Sequence, residues 1–293
     1  MMKTLTVFTP TFNRAYCLHQ VYDSLCMQTV QDFEWLVIDD GSTDRTQELV
    51  TTWIAENRIT IKYCYKENGG MHTGHNKAYE IIETPFNVCI DSDDYMPPNA
   101  VAIILEQLQG LDNSFSGIIG LDADQKGNVI GTPIPESLSR CKLNELYSKH
   151  GVQGDKKMVY RTALMKKCPP YPEYKGEKFV PLDYKCLLLD QEYDLKPVNQ
   201  VLCVVEYQLD GSSLNIFKQY RKNPRGFAFS RLSRIEFGST FKERFKNAIH
   251  LVSSALFARD LSLLAQSRDH LLVFFAIPFG VLLHCYVLLK TTS

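Results

Sequence analysis

The chain has 293 residues, 45% of them hydrophobic and 22% charged, with a formal net charge of -1. That is the composition of an ordinary globular protein, large enough for one big α/β domain plus an extension, and it lacks the overall basic excess that would call for a nucleic acid partner. Nine cysteines, odd in number and without a C-x-x-C pair, signal neither a disulfide framework nor a zinc site and point to a reducing compartment.

No signal peptide is expected, because Met1-Met2-Lys3 leads straight into the apolar, β-prone run Leu5-Thr6-Val7-Phe8. Pro10-Thr11-Phe12-Asn13 breaks that first strand, and Leu18, Val21, Tyr22 and Leu25 then follow a helical spacing. Phe33 to Ile38 reads as the second strand, closed by Asp39-Asp40-Gly41. Ser42 or Thr43 can cap the next helix, whose inner face carries Leu49, Val50, Trp53 and Ile54. Ile59 to Tyr65 is the third strand, Asn68-Gly69-Gly70 the loop after it, and a helix through Lys77 to Ile82 leads to a fourth strand at Val88. This β-α-β-α-β-α-β order over roughly the first hundred residues predicts a parallel sheet with helices on both faces. After Pro98 a helix carries Val101, Ile104, Leu105 and Leu108, and Ile118 to Leu121 with Val129-Ile130 reads as a turn-rich hairpin. From Leu143 to Gln208 the signals are mixed: a short helix, a loop with Pro169, Pro170 and Pro172, a helix near Tyr184 to Leu189, and the strand Val201 to Tyr207. Beyond Leu214 everything reads as helical.

The fourth strand, Val88-Cys89-Ile90, ends in Asp91-Ser92-Asp93-Asp94, three carboxylates within four residues. Adjacent carboxylates resist joint ionisation, and a hard divalent cation such as Mg²⁺ or Mn²⁺ would relieve the repulsion. An acidic turn before a helix start at Pro97-Pro98 is the structural alternative. Three more polar clusters follow the earlier strands: Thr9 to Arg14, Asp39 to Asp44, and Asn68 to Asn76. In a parallel sheet these loops share one edge, where convergent amides, carboxylates and a cation would suit a nucleoside diphosphate. Gly69 and Gly74 have P-loop spacing, but His75-Asn76 stands where Lys-Ser/Thr is required. Neither a G-x-G-x-x-G after the first strand nor a G-x-S-x-G elbow occurs, which argues against a dinucleotide site and a hydrolase.

Thr-Pro-Thr-Phe-Asn-Arg, Val-Ile-Asp-Asp-Gly-Ser-Thr-Asp, Asn-Gly-Gly before Asn76-Lys77, and Asp-Ser-Asp-Asp occur in that order over about 100 residues. Together they resemble the signatures of family 2 glycosyltransferases of the GT-A fold. The resemblance implies an α/β fold of GT-A type, Rossmann-like, with a mostly parallel sheet and helices on both faces, to which the helical signals beyond Leu214 add a helical C-terminal extension. It also implies an inverting enzyme that uses a nucleotide sugar, most often a UDP-sugar, with divalent Mg²⁺ or Mn²⁺. By position, Thr9, Thr11 and Arg14 match the first-loop nucleotide contacts, and Asp40, with Asp39 beside it, matches the carboxylate that binds the base. The segment from Gly70 to Lys77, including Asn76, matches the one over base and ribose. Asp91, Asp93 and Asp94 match the D-x-D region, with Asp94 expected on the metal, Asp93 on the ribose or sharing the metal, and Asp91 orienting them.

Gly176-Glu177-Lys178-Phe179-Val180-Pro181 resembles the segment where the family places its general base, but Lys178 stands in place of an Asp and Leu182 in place of an acid. Glu177 is therefore the first candidate base, with Glu173 and Asp183 behind it, and a surface ion pair is the alternative role for Glu177. Glu206 to Ser213 resembles the loop that closes near the diphosphate, or else is a Gly-Ser turn.

The near-zero net charge hides an asymmetry. Between Lys218 and Lys246 nine Lys and Arg face only Glu236 and Glu243, a net +7. Downstream, Leu271 to Leu289 holds 19 residues with no formally charged side chain. As a helix it would reach roughly 28 Å, just enough for a hydrocarbon core, although Pro278, Gly280 and His284 interrupt it. Spanning, lying in the interface and packing on the domain are all open to it, and the basic segment beside it favours association with a membrane surface. The expected division is a GT-A domain over 1–213, with a nucleotide-binding half 1–100 and an acceptor half 101–213, followed by a membrane-associating region over 214–293. Family and tail together suggest a glycan or lipid-linked acceptor of a bacterial surface polysaccharide, handled at the cytoplasmic face by a peripheral or singly anchored enzyme.

Overall fold

The structure, a computed structural model, describes residues 3–206 and 216–291. The chain forms two compact units, Met1–Pro169 with Glu192–Gln208, and Pro170–Gln191 with Leu209–Ser293. This differs from the division expected at residue 213, because the Pro-rich segment and the helix after it group with the C-terminal helices.

In the first unit β1 (Leu5–Thr11), α1 (His19–Cys26), β2 (Phe33–Asp39), α2 (Thr46–Glu56), β3 (Ile61–Tyr65), α3 (Met71–Ile81), β4 (Phe86–Cys89) and α4 (Ala100–Leu108) follow the alternation read from the sequence. Then come β5 (Phe115–Ala123), α5 (Leu143–Ser148), β6 (Lys156–Arg161), α6 (Thr162–Lys167) and, after an excursion into the second unit, β7 (Asp194–Val204). One seven-stranded sheet results, in the order β3-β2-β1-β4-β6-β5-β7. Its first four members run parallel, whereas β6 is antiparallel to both β4 and β5. β7 pairs parallel with β5.

Alternation along the central strands sets the two faces. Leu5, Val7, Phe33, Trp35 and Val37 point to one side and pack with Val21 and Leu25 of α1, Trp53 of α2 and Ile104 of α4. Tyr22 and Trp53 stack there at 4.5 Å between ring centroids. On the other side Phe8 meets His75 and Tyr79 of α3 edge-on, at 5.1 and 5.7 Å. Helices thus cover both faces, and every residue of β1 and β2 is buried. Fully burying each large apolar side chain contributes roughly 1.5–3 kcal/mol before the entropy of ordering it.

The start of α2 departs from expectation. Asp44 Oδ1, not Ser42 or Thr43, accepts the Thr46 amide at 3.0 Å, and Ser42 instead accepts from the Asn13 amide at 2.9 Å. The expected hairpin after β5 is reduced to an isolated bridge between Ala123 and Val129, with Asp124 accepting from the Lys126 and Asn128 amides across the turn.

The second unit holds α7 (Asp183–Glu192), α8 (Ile216–Lys222), α9 (Pro224–Phe237), α10 (Phe241–Ala258), α11 (Ser262–Ala265) and α12 (His270–Thr291). Ala228, Ile235, Ala248, Leu251, Val252 and Ala276 lie at its core.

Candidate active site

The loops after β1, β2 and β3 are tied together by the side chains that the sequence singles out. Asn13 adopts φ 53°, a left-handed conformation that Asn tolerates better than most residues. Its Oδ1 accepts the Thr43 amide at 2.8 Å, which joins the first loop to the second. Asp39 is fully buried and accepts from the Ser42 amide at 2.7 Å and the Tyr63 hydroxyl at 2.6 Å. Asp40 accepts the amides of Gly69 and Gly70 at 2.9 and 2.7 Å and is ion-paired with Lys66. Both carboxylates therefore fix loop geometry, and Gly70, at φ 97°, can open α3 because it has no Cβ.

Two polar atoms at this edge are buried with no hydrogen-bond partner among the described residues, Thr11 Oγ1 and His72 Nδ1. A buried polar group without a partner is costly, so both are candidates to meet a ligand. Burial holds His72 neutral, its pKa lowered to about 4. Thr9 Oγ1 accepts from Trp35 Nε1 at 3.0 Å. The guanidinium of Arg14 lies over the Tyr16 ring, 5.6 Å from its centroid. Asn76 and Lys77 lie on α3, where Lys77 pairs with Glu80 at 2.8 Å and Asn76 is half-buried.

The three carboxylates after β4 are not equivalent. Asp91 and Asp93 are half-buried, whereas Asp94 is only 4% exposed. Asp94 accepts the Glu206 amide at 3.2 Å and lies 3.9 Å from Lys157 Nζ. Burial pushes its pKa up to about 7 against the pull of Lys157, and Asp91 and Asp93 push it the same way. Tyr95 bridges to Val204 of β7 and so pins the turn.

Lys157 carries no obvious signal in the sequence. It comes from β6, whose register pairs Val88 with Val159 and so brings residue 157 beside the end of β4. Burial works against its charge, but Cys203 and the carboxylates of Asp122, Asp94 and Asp91 outweigh it and keep the ammonium protonated. A lysine near the start of a strand reads as a solvated edge residue, and only the pairing shows otherwise.

The three candidate bases lie in the second unit. Glu177 accepts from the backbone N–H groups of Arg225 and Gly226, at 3.1 and 2.9 Å, and so caps the N-terminus of α9. Gly226 permits this close approach, since a Cβ there would lie 2.1 Å from the Phe179 carbonyl oxygen. Asp183 accepts from Ser230 Oγ at 3.0 Å and is ion-paired with Arg234. Glu173 is exposed, with no hydrogen bond or ion pair among the described residues. The loop expected to close near the diphosphate lies, beyond Glu206, outside the described residues.

The cap and the base make opposite predictions for Glu177. As a cap, Glu177→Ala should lower unfolding stability by about 0.5–2 kcal/mol and change turnover little. As a base, Glu177→Gln should leave melting intact and reduce turnover by about 10²–10⁴-fold. Melting curves and initial rates of the two variants decide between them.

Four parallel strand ends carrying polar loops and an acidic turn define an α/β nucleotide-binding domain of GT-A type. A family model described as "Glycosyl transferase family 2" matches residues 6–166, and the chain belongs to that family. It is 26% identical over 172 residues to the teichoic acid poly(glycerol phosphate) polymerase of Staphylococcus epidermidis, a match covering 56% of this chain and 23% of the relative. It is 32% identical over 103 residues to the chondroitin synthase of Pasteurella multocida, over 35% of this chain and 11% of the relative. The chain thus spans less than a quarter of each of these two curated relatives. Among solved structures it is similar to S. aureus TarS 1-349 in complex with UDP-GlcNAc, with a TM-score of 0.62 at 16% identity, over 97% of this chain and 90% of that one. It is also similar to the mannosyltransferase PcManGT from Pyrobaculum calidifontis in complex with GDP-Man and Mn²⁺, with a TM-score of 0.60 at 15% identity, over 98% and 88% of the two chains. These structural likenesses bear on the fold alone.

Proposed function

We propose that the chain is an inverting glycosyltransferase that moves a sugar from a UDP-sugar to a glycan or lipid-linked acceptor during assembly of a bacterial surface polysaccharide. The observation that carries this reading is the shared edge of β1, β2, β3 and β4, where the buried unpartnered Thr11 ends β1, His72 lies in the first turn of α3, and the acidic turn follows β4. The teichoic acid polymerase among the relatives supports the surface-polymer acceptor, and the UDP donor is the one that the sequence motifs imply. The basic and apolar second unit supports work at the cytoplasmic face of a membrane.

No group of three His, Cys, Asp or Glu side chains among the described residues is arranged to hold a metal alone. That suits Mg²⁺ or Mn²⁺, which bind through one or two carboxylates and complete their shell with phosphate oxygens and water. Burial is the main cause of the raised Asp94 pKa, and the smaller push from Asp91 and Asp93 is the part that a cation would relieve. The burial of Asp94 supports an exchange of the expected roles, with Asp93 and Asp91 facing the cation and ribose and Asp94 holding the turn in place. When bound, the cation would neutralise charge on the departing nucleoside diphosphate.

The remaining work falls to the chain itself. A sugar hydroxyl needs a carboxylate within hydrogen-bond reach to take its proton as it attacks the anomeric carbon, while the bond to the diphosphate breaks on the opposite face. With Glu177 on a helix end and Asp183 on Arg234, Glu173 takes this role in the proposal. The same engagement of Glu177 and Asp183 favours, as the second reading, a nucleotide-sugar-binding subunit that does not turn over.

A panel of UDP- and GDP-sugars, each with Mn²⁺, tests the donor. A true donor at 100 times its dissociation constant should stabilise the protein by about 2.7 kcal/mol, seen as a raised melting temperature, and should be consumed when acceptors are added. Stabilisation without consumption across varied acceptors would favour the binding subunit, and no stabilisation by any donor would sink both readings.

A further inference from the structure

From the packing of α12 we infer that this helix lies in the plane of an anionic membrane surface rather than crossing the bilayer. The inference deepens the membrane location proposed above, and its test reads lipid binding rather than sugar transfer.

By length and composition α12 could span: its 22 residues have a mean hydropathy of 2.3 over the most apolar window. Its surroundings argue otherwise. Leu272, Val273, Ala276, Gly280 and Val287 form a buried stripe at helical spacing, and α10 lies against it. Contact is close enough that a Cβ on Gly280 would lie 2.4 Å from Val252 Cβ and 2.8 Å from the Ile249 carbonyl oxygen. A crossing helix would therefore take α10 with it, and the first two turns of α10 carry Lys242, Glu243, Arg244 and Lys246. Charged side chains in hydrocarbon are expensive unless they face a polar interior.

Both ends of α12 are also held by the same unit. At its start Arg244 pairs with Asp269 at 2.7 Å. At its end Arg221 of α8 donates to Thr291 Oγ1 at 2.8 Å, and Phe217 of α8 meets Tyr286 edge-on at 5.9 Å. At about 1.5 Å per residue the two ends are roughly 33 Å apart, so a crossing would place α8 and the Arg244–Asp269 pair on opposite sides of a bilayer.

The opposite face of α12 is apolar from end to end. Leu271, Phe275, Leu282 and Leu289, spaced seven or four residues apart, are 73%, 63%, 67% and 75% exposed. Phe241, 72% exposed and stacked on Phe245, extends the apolar surface, because Phe245 in turn meets Phe279 of α12. Exposed Lys218, Arg221, Lys222 and Lys290 cluster near one end of α12, and Lys242 and Lys246 lie toward the other. An apolar face flanked by cations fits an anionic lipid surface, into which such helices sink by roughly 5–10 Å.

The experiment uses the full chain with vesicles of phosphatidylcholine alone or containing phosphatidylglycerol. Binding should need the anionic lipid, weaken at 0.5 M salt, and fall by at least about tenfold in the variant Phe275→Asp/Leu282→Asp. Both positions are exposed, so the melting temperature of that variant should stay close to wild type. Single tryptophans placed by Phe275→Trp, Leu282→Trp and Leu289→Trp then report depth through brominated lipids, since Trp35 and Trp53 are buried in the first unit. Equal, shallow quenching at the three sites is expected. Deep quenching at 282 with shallower quenching at 289 means a crossing helix and overturns the proposal. No vesicle binding, with or without self-association lost in the double variant, also overturns it.

Discussion

Asp93→Asn should reduce turnover by about 10²–10³-fold, the range seen when one electrostatic contact to a developing charge is removed, while the melting temperature stays near wild type. Asp93 is half-buried, so exchanging its carboxylate for an amide of the same shape disturbs little packing. In the role proposed for Asp93 the change removes a charged ligand, and the concentration of Mn²⁺ needed for half-maximal rate should rise with it. Asp94→Asn should behave differently. Its carboxylate accepts the Glu206 amide and lies 3.9 Å from the ammonium of Lys157, whose side chain is 13% exposed, so stability and turnover should fall together. Steady-state rates over a Mn²⁺ titration, with a melting curve for each variant, separate the two residues. If Asp94→Asn raised the Mn²⁺ requirement without destabilising the protein, and Asp93→Asn did not, Asp94 would be the metal ligand after all.

Replacing Lys157 by Met should cost about 3–5 kcal/mol of unfolding stability, the usual result of removing one partner from a buried charged pair. The ammonium lies among Asp94, Asp122 and Asp91, and Asp122 Oδ1 has no hydrogen-bond partner among the described residues. Methionine nearly matches the lysine stem in volume, so the loss would report charge rather than a cavity. Lys157→Met/Asp122→Asn should recover part of it, because the second change removes one of the stranded carboxylates. Urea denaturation of the three proteins checks this. A single variant within 1 kcal/mol of wild type (roughly the median worth of an exposed pair) would mean that Lys157 does not act as a buried counterion.

The first hundred residues were legible because local rules agree there. Buried parallel strands are short apolar runs, and the loops at their carboxyl ends carry Asn, Asp, Gly and Thr for turn chemistry and ligand contact alike. The alternation of four parallel strands with helices, the shared edge and the acidic turn followed from that agreement. Strand β6 was not legible: Lys156-Lys157-Met158-Val159-Tyr160-Arg161 has two strong strand formers between charged residues. Its place between β4 and β5 depends on partners remote in sequence, and with it went Lys157. Nor could the sequence show that Glu177 meets α9, since the amides it accepts from are 48 and 49 residues away. The roles of Asp39 and Asp40 were half visible. Their position marked them as site residues, but their side-chain hydrogen bonds show them fixing the loops after β2 and β3.

The insertion of β6 beside β4 also orders events during synthesis. Until residue 161 has left the ribosome, β4 has β1 on one side and nothing on the other. An unpaired strand edge of that kind recruits other chains, and the acidic turn beyond it has no lysine to balance it. A nascent chain halted after α4 would therefore hold the nucleotide loops without the counter-charge that steadies them, and should need chaperone protection rather than wait as a folded half.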